Sequence, residues 1–179
     1  MVLSENIDKN AEIAGDGEKM EFLSDDSKKY HKEIRKLFDE NSNVIFPNSC
    51  VEHAIAILIE IFRHATKEVK IFSKELNPDA WLNSSLQDEI IAASSRNVDI
   101  KIAIQSVSIA DSDIERFFQT LSITVKTLCA PNVDFNFAVA DGRMFRFESD
   151  SNKYHAVAGA NNPQIAKELK EAFNVFFGE

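Results

Sequence analysis

Short apolar strands alternate with single amphipathic helices over most of this chain, and this order constrains the fold more than any other feature. Alternating apolar and polar residues predict strands at 69–72, 98–104 and 123–128. Amphipathic helices are predicted between these strands, at 86–95 and at about 112–121. Strands that are separated by single helices pair in parallel, with the helices covering the sheet. The predicted fold class is therefore α/β, a largely parallel mixed sheet flanked by helices.

Two further helices are predicted before the first of these strands. Ser24 is a favourable N-cap for a helix at 25–41, because its hydroxyl can accept a hydrogen bond from an amide of the first turn. The apolar residues of that helix follow the spacing of one helical stripe: Tyr30, Ile34, Leu37 and Phe38. A short loop with Pro47 and Asn48 leads to a second helix at 51–66, which a polar residue of the loop would cap. An N-terminal helix is therefore added to the alternating unit.

The C-terminal part begins with a predicted hairpin. Two strands at 133–140 and 144–148 are joined at Asp141–Gly142, and this pair favours a type I′ turn, in which both central residues need a positive φ. A short strand at 156–158 follows, and then a helix at 163–177. The ends of that helix are marked by Asn162 as its N-cap, Pro163 at its first position and Gly178 after its last.

Acidic residues are concentrated toward the N terminus. The chain carries a formal net charge of −9, and through Lys29 eight acids face four lysines, a net charge of −4. Residues 1–24 contain Gly15 and Gly17 and little periodic apolar pattern. We therefore predict a disordered acidic leader at 1–24 and a single domain at 25–179. The acidity argues against direct binding to nucleic acid or to an anionic membrane.

Cysteine usage and the first residues favour a reducing compartment. Cys50 and Cys129 form neither a disulfide framework nor a Cys-x-x-Cys or Cys/His cluster, so we expect both to be small buried hydrophobic residues. The N-terminal residues lack the basic and apolar regions of a signal peptide. The longest apolar run, 54–59, has six residues and is too short to span a membrane. We expect a cytoplasmic protein that uses no cofactor and no metal ion.

The segment 135–177 carries a family resemblance. It reads FNFAVADGRMFRFESDSNKYHAVAGANNPQIAKELKEAFNVFF. It resembles the C-terminal signature of the phospholipase D superfamily, in which an H-x-K-x4-D strand and a hairpin precede G-S-x-N and an amphipathic helix. With Asp141–Gly142 on the Asp-Gly of that signature, Asp134 takes the His position and Asn136 takes the Lys position. The G-S-x-N positions fall on Gly159, Ala160, Asn161 and Asn162.

The resemblance implies a phospholipase D-like fold over about residues 45–179, without the family's catalytic groups. In the family the His is a nucleophile and a second His protonates the leaving group, but Asp134 has no imidazole for either role. The family's Lys holds the phosphate as a cation, whereas Asn136 is uncharged, and Ala160 stands where Ser is expected. The Asp134 carboxylate would also repel a phosphodiester, by about 1 kcal/mol or more at ~4 Å. We therefore expect no catalytic residues, only a vestigial motif at Asp134, Asn136, Asp141, Gly159, Ala160 and Asn162.

Three residues of this region have competing interpretations. Asp141 matches the family's Asp, but that residue orients a His that is missing here, and turn chemistry equally explains an Asp before Gly142. Asn162 matches the family's Asn and equally an N-cap. If the chain is active, His155 is the candidate catalytic group, since it follows the hairpin and would point back toward Asp134 and Asp141.

The other histidines and the basic residues are predicted to lie on the protein surface and to form no functional site. His53, Glu60 and His64 share one side of the second helix and in principle form a metal-binding line. Other charged residues lie on the same side, which is typical of a solvated face. His31 is expected to be exposed on the first helix. The basic cluster of that helix is flanked by acids, which predicts an ion-paired surface: Lys28, Lys29, Lys32, Arg35 and Lys36.

Three functions remain open. The first is a non-catalytic phospholipase D-like interaction or scaffold subunit, a pseudoenzyme. Because family members with one motif per chain usually pair two chains about the active-site face, the resemblance implies a homodimer or a partner protein subunit. By analogy of fold, such a subunit would belong to a multi-protein bacterial system that acts on nucleic acid, including antiviral defence.

The second function is a phosphodiesterase or nuclease with a relocated catalytic set around His155, Asp141 and Asn162. The third is an acidic decoy or inhibitor that occupies a partner's nucleic-acid channel, with the carboxylates of the leader as its contact. The first function is favoured, because all three chemical positions of the motif are replaced.

Overall fold

The computed structural model describes residues 24–105, 112–128, 133–150 and 155–178. In chain order these residues form α1 (Asp25–Asp39), β1 (Ile45–Asn48), α2 (Val51–His64), β2 (Glu68–Ser73), α3 (Pro78–Trp81), α4 (Ser84–Ser95), β3 (Asp99–Ile104), α5 (Ser112–Thr120), β4 (Thr124–Thr127), β5 (Asn136–Ala140), β6 (Met144–Asp150), β7 (His155–Gly159) and α6 (Pro163–Phe177). The predicted leader lies outside the described residues apart from Ser24, and so does Cys129.

The strands form one mixed sheet in the order β1-β7-β6-β5-β2-β3-β4. β2, β3 and β4 are parallel neighbours, as the intervening helices predict. β5 returns antiparallel beside β2, and β6, β7 and β1 continue the antiparallel part. The predicted class, a mixed sheet flanked by helices with a helix at the N-terminal side, is confirmed. Parallel pairing is confined to β2–β4, because the later strands follow one another through short reversals.

Two short elements escaped the sequence analysis. β1 was predicted as a loop because it contains Pro47, which cannot donate a backbone hydrogen bond. An edge strand tolerates this proline, and β1 is the edge of the sheet, where Pro47 pairs with Val157 of β7. α3 is a single turn that Asn77 caps by accepting a hydrogen bond from the amide of Asp79. A turn this short leaves no helical periodicity to detect in the sequence.

Helices cover both faces of the sheet. On one face, the α2 face, α1 to α5 pack against strand residues that include Val69, Ile71, Ile100 and Ile102. On the other, the α6 face, α6 packs on β2, β3, β5 and β6. The α6 face is rich in phenylalanine, and the Phe72 ring lies 4.8 Å from the Phe176 ring and 5.4 Å from the Phe137 ring, measured between centroids. These apolar layers fix the strand ends where the candidate site residues lie.

Helix ends follow the predicted chemistry in part. Ser24 caps α1, as predicted, by accepting a hydrogen bond from the amide of Ser27. Asn83 caps α4 by accepting a hydrogen bond from the amide of Leu86. The N-cap residue of α2 is Cys50, which makes no side-chain cap, while the Asn48 side chain donates to the Cys50 carbonyl at 3.0 Å. α6 ends at Gly178, whose φ of 82° is the left-handed conformation that favours glycine.

α2 is buried on nearly all sides, which corrects the predicted solvated face. α1 packs along one side of α2 and α4 along another. The Glu60 side chain is fully buried, and its Oε1 lies 2.6 Å from Nε2 of His31 and 2.8 Å from NH1 of Arg63. His31 is only 3% exposed, so the expectation of an exposed histidine is wrong. No helix within the described ranges is both long and apolar enough to cross a membrane.

Candidate functional site

The predicted motif positions lie at opposite ends of the sheet. β5 runs antiparallel to β2, so its first residue, Asn136, lies beside the carboxyl end of β2, whereas Asp141 lies beyond the amino end. Gly159 shares the Asp141 end, because it pairs with Phe145 at the start of β6. We call these regions the cavity end, with Asp134 and Asn136, and the hairpin end, with Asp141, Gly159, Ala160 and Asn162. The structure therefore does not bring the six positions into one site.

At the hairpin end, Asp141 joins the hairpin to the start of β2. Asp141 and Gly142 both have a positive φ, 53° and 66°, as the predicted turn requires. The Asp141 carboxylate accepts hydrogen bonds from the amides of Thr66, Lys67 and Glu68 at 2.8–3.1 Å, and from the Thr66 hydroxyl at 2.9 Å. Burial raises the pKa of Asp141, but these hydrogen bonds outweigh it and hold the pKa below its ordinary value. Asp141 thus ties two loops together and lines no part of the cavity described below.

Gly159 and Asn162 pack closely at the same end. A Cβ atom on Gly159 would lie 1.9 Å from Oδ1 of Asn162 and 2.8 Å from Cε1 of Phe145, so only glycine fits. The Asn162 side chain donates to the carbonyl of Asn43 at 3.0 Å, and it does not cap α6, although Asn162 occupies the N-cap position. Ala160 is fully buried. These residues hold the chain in place where β7 passes into α6.

At the cavity end, Asn136 is partly buried and connects three segments. Its Oδ1 accepts hydrogen bonds from the Lys74 amide at 2.7 Å and from the Ser73 hydroxyl at 3.3 Å. Its Nδ2 donates to Oε2 of Glu148 at 2.8 Å. Asp134, two residues earlier, is exposed and lies 3.0 Å from Nζ of Lys74. Both polar atoms of the Asn136 side chain, Oδ1 and Nδ2, therefore have protein partners.

An arginine and a glutamate of β6 complete this polar cluster. Arg146 and Glu148 are two residues apart and share the α2 face, where they are 8% and 5% exposed. NH2 of Arg146 lies 3.4 Å from Oε1 of Glu148, and Nε of Arg146 donates to Oδ1 of Asn48 at 2.8 Å. Burial lowers the pKa of Arg146, and the neighbouring Glu148 carboxylate acts in the opposite direction. The cluster therefore spans β1, β5 and β6.

A cavity of about 180 Å³ opens beside this cluster, between the sheet and the first turns of α2. Its polar lining is formed by Ser73, Lys74, Glu75, Asn136, Arg146 and Glu148. Its apolar lining includes Ala54, Leu58, Ile71, Ala80 and Trp81. No histidine is among the described residues that line this cavity. The arrangement offers one buried guanidinium beside one buried carboxylate and no imidazole.

His155 lies apart from both regions. It is the first residue of β7 and is exposed, and it pairs with Asp150 of β6. Its neighbours on the strand, Ala156 and Ala158, are buried, and Ala158 packs on the α2 face, so alternation places His155 on the α6 face. The strand register therefore does not bring His155 close to Asp141, contrary to the prediction.

Of the predicted line of His53, Glu60 and His64, the structure brings together Glu60 and His64, with Nδ1 of His64 3.5 Å from Oε2 of Glu60, while His53 lies apart from them. The His53 ring stacks on Tyr30, with ring centroids 3.7 Å apart. Nε2 of His64 faces Asp39 at 3.1 Å, and its Nδ1 lies 3.0 Å from the Glu60 carbonyl oxygen. Within the described ranges, no group of three or more His, Cys, Asp or Glu residues is arranged to hold a metal ion.

Sequence reasoning missed Ser73, Arg146 and Glu148 of the cavity lining, and also Asn48, which contacts Arg146. Arg146 and Glu148 alternate with Phe145 and Phe147, and this period of two is typical of a strand whose charged side faces solvent. Asn48 lay in a segment predicted as a loop. These residues form a cluster because β1 pairs with β7 and so brings Asn48 to Arg146. Pairing between distant strands cannot be predicted from the local sequence pattern.

No protein-family model matches the chain, and no curated protein matches its sequence. Solved structures do match. A phospholipase D family member, Nuc from Salmonella typhimurium, has a TM-score of 0.57 at 15% identity, over 75% of this chain and 94% of that chain. The archaeal chromatin protein TrmBL2, which shows a novel mode of DNA binding, has a TM-score of 0.55 at 17% identity, over 86% of this chain and 61% of that one.

A third neighbour is the polyphosphate kinase from Porphyromonas gingivalis. Its TM-score is 0.59 at 12% identity, over 80% of this chain and 25% of that chain. Identities at this level carry the fold and no activity. The chain therefore has a phospholipase D-like fold, as the C-terminal pattern predicted.

Proposed function

We propose that this chain is a non-catalytic phospholipase D-like subunit that serves as an interaction partner or scaffold. One observation carries the proposal: each cation that lines the cavity is paired with a carboxylate. Lys74 pairs with Asp134, and Arg146 pairs with Glu148. A phosphodiester would meet neither an imidazole nor an uncompensated cation among the described residues that line the cavity.

The alternative, a phosphodiesterase with a relocated catalytic set, is less favoured because the set is dispersed. His155 pairs with Asp150, and Asp141 follows Ala140, which pairs with Met144. From Met144 to Asp150 the strand rises roughly 20 Å, at ~3.3 Å per residue. A catalytic acid or base must lie within hydrogen-bond reach of the reacting group. His155 and Asp141 are too far apart to serve one reacting centre.

The exposed apolar residues of β1 and β7 support an interaction role. Val44, Ile45 and Val157 are 51%, 48% and 40% exposed. Ile45 pairs with Gly159 and Pro47 pairs with Val157, so the side chains of Ile45 and Val157 are diagonal neighbours on the α6 face of the edge of the sheet, and Val44 directly precedes Ile45. Contiguous exposed apolar residues and an open strand edge favour protein–protein contact. We place the contact with a second copy of this chain, or with a partner subunit, on this surface.

Solution mass tests the contact surface. We expect a dimer by light scattering at micromolar concentration, and a monomer for the double variant Ile45→Asp/Val157→Asp. Ile91→Asp is the matched control, because Ile91 is an equally exposed apolar residue, 42%, on α4. A wild-type monomer that also captures no protein from its native host would contradict the proposal.

Activity measurements test the absence of catalysis. Bis(p-nitrophenyl) phosphate and single-stranded DNA should remain intact with the full-length protein, with and without EDTA. Hydrolysis that disappears in His155→Ala would overturn the proposal in favour of the relocated enzyme.

Deletion of residues 1–24 tests the third function, an acidic decoy, since that function predicts weaker partner binding by the truncated chain. We extend the proposal, by analogy of fold, to a multi-protein bacterial system acting on nucleic acid, including antiviral defence; co-purification from the native host tests this extension.

A further inference from the structure

We propose that the cavity on the α2 face binds a small zwitterion with an apolar side chain, of the α-amino acid type. The proposal goes beyond the scaffold function and does not depend on it. It rests on a buried pair of opposite charges, Arg146 and Glu148, that lines the cavity together with apolar side chains. Neither residue belongs to the motif that the sequence resemblance singled out.

The geometry of the pair leaves room for a ligand. The contacts between the Arg146 guanidinium and the Glu148 carboxylate measure 3.4 and 3.5 Å. Charge-assisted hydrogen bonds are usually about 2.7–2.9 Å long. The two groups are therefore close enough to balance each other's charge but too far apart to saturate it. Both retain donor and acceptor capacity on the side that lines the cavity.

Neighbouring amides hold the pair in place. Asn48 accepts from Nε of Arg146 at 2.8 Å, and Asn136 donates to Oε2 of Glu148 at 2.8 Å. The two charged groups are thus fixed before any ligand enters, which lowers the entropic cost of binding. A buried ion pair is weak evidence for stability, because desolvation offsets the Coulomb attraction. A fixed pair beside an open cavity is better explained by recognition.

The charge balance selects the class of ligand. A phosphate or simple carboxylate at Arg146 would meet the Glu148 carboxylate, and a simple amine at Glu148 would meet the Arg146 guanidinium. An α-amino acid carries an ammonium and a carboxylate on one carbon, so the two groups can lie against Glu148 and Arg146 at once. Of the other charged residues of the lining, Lys74 is paired with Asp134, and Glu75 is exposed to solvent.

The remaining lining selects an apolar side chain. Ala54, Leu58, Ile71, Ala80 and Trp81 form the apolar part of the lining. The volume of about 180 Å³ is below the ~300–1,000 Å³ of pockets for drug-sized ligands. It suits a ligand of the size of leucine.

Calorimetric titration of the full-length protein tests the proposal with leucine and four matched probes. 4-Methylpentanoate lacks the ammonium group, 3-methylbutylamine lacks the carboxylate, and glycine lacks the side chain; inorganic phosphate tests a simple anion site. We expect saturable binding of leucine and at least about tenfold weaker binding of each other probe, since each loses a charge-assisted bond or the apolar contact. Equal affinity for 4-methylpentanoate or phosphate would overturn the zwitterion assignment.

Variants separate binding from folding. Glu148→Gln should lower leucine affinity to that of 4-methylpentanoate, but it removes one partner of a buried pair and needs a folding check by circular dichroism. Ala54→Leu leaves both charges intact, fills the cavity, and should abolish binding. Arg143→Gln is the control, because Arg143 lies at the hairpin end and donates to Asn41. Unchanged leucine affinity in a folded Ala54→Leu variant, or no binding by the folded wild type at millimolar leucine, would refute the proposal.

Discussion

The imidazole Nε2 of His31 lies 2.6 Å from the carboxylate Oε1 of Glu60, and both side chains are buried between α1 and α2. Glu60 also contacts Arg63, which reaches Glu89 of α4 at 2.6 Å. The buried Glu60 carboxylate of α2 thus contacts α1 directly and is linked to α4 through Arg63. This contact makes α1 part of the fold rather than an appendage, since ordering α1 buries Ile34 and Phe38 in the same core.

Glu60→Ala should destabilise the protein strongly. It leaves Arg63 and His31 without their shared partner, and breaking a buried ion pair typically costs about 3–5 kcal/mol. Urea unfolding, followed by circular dichroism at pH 7, measures the loss. Glu33→Ala on the exposed side of α1 is the control and should change the free energy of unfolding by less than about 0.5 kcal/mol. Similar small effects of both substitutions would contradict a central role for Glu60.

Asp141→Asn should destabilise the hairpin end by about 1–3 kcal/mol at neutral pH, because one carboxylate oxygen becomes an amino group that faces backbone donors. Since the folded pKa of Asp141 is depressed below its ordinary value of 3.8, its stabilisation is present above that value and is lost as the pH falls through the folded pKa. The difference between wild type and variant should therefore shrink in acid. Urea unfolding at pH 7 and near pH 3 measures this, with the exposed Asp88→Asn as control. A difference that does not depend on pH would argue against the carboxylate.

Gly159→Ala should destabilise the junction of β7 and α6, because its Cβ would overlap Oδ1 of Asn162. Overpacking of this kind costs about 1–3 kcal/mol. The double variant Gly159→Ala/Asn162→Ala removes the nearest obstacle and should cost less than the two single losses added together. Thermal unfolding of all three variants gives the coupling. If the losses of the two single variants simply add in the double variant, the close approach of Asn162 does not explain why position 159 requires glycine.

Arg146 and Glu148 should behave as a coupled pair in stability measurements. Glu148→Gln leaves a buried guanidinium without its counter-charge and should cost about 3–5 kcal/mol. Arg146→Met/Glu148→Leu removes both charges and should restore most of that loss, because a buried pair often contributes little net stability. Chemical denaturation of the wild type and of both variants is the measurement. A double variant as unstable as Glu148→Gln would mean that the pair itself stabilises the fold.

The alternating pattern predicted most helices and strands and the mixed class of the sheet, because each depends on spacing within one short segment. Asp141–Gly142 predicted its hairpin for the same reason, since positive φ at both positions is a local requirement. The segment that contains Pro47 was predicted as a loop, but it forms the edge strand β1. A strand tolerates proline at a sheet edge, and edge position is a property of the whole fold. The predicted motif positions are close together in sequence, but β5 runs between Asn136 and Asp141 and places them at opposite ends of β2.

The sequence by itself determined the order of most elements and the turn chemistry at Asp141–Gly142, because these follow from residue identity and local spacing. Only the tertiary structure decided which charges are buried. Glu60 and Arg146 belong to segments whose patterns favour solvent exposure. They are buried because α1 and α4 pack around α2 and because β1 closes the sheet beside β7, contacts between segments far apart in the chain. Burial of a polar group depends on such distant partners and not on its neighbours in sequence.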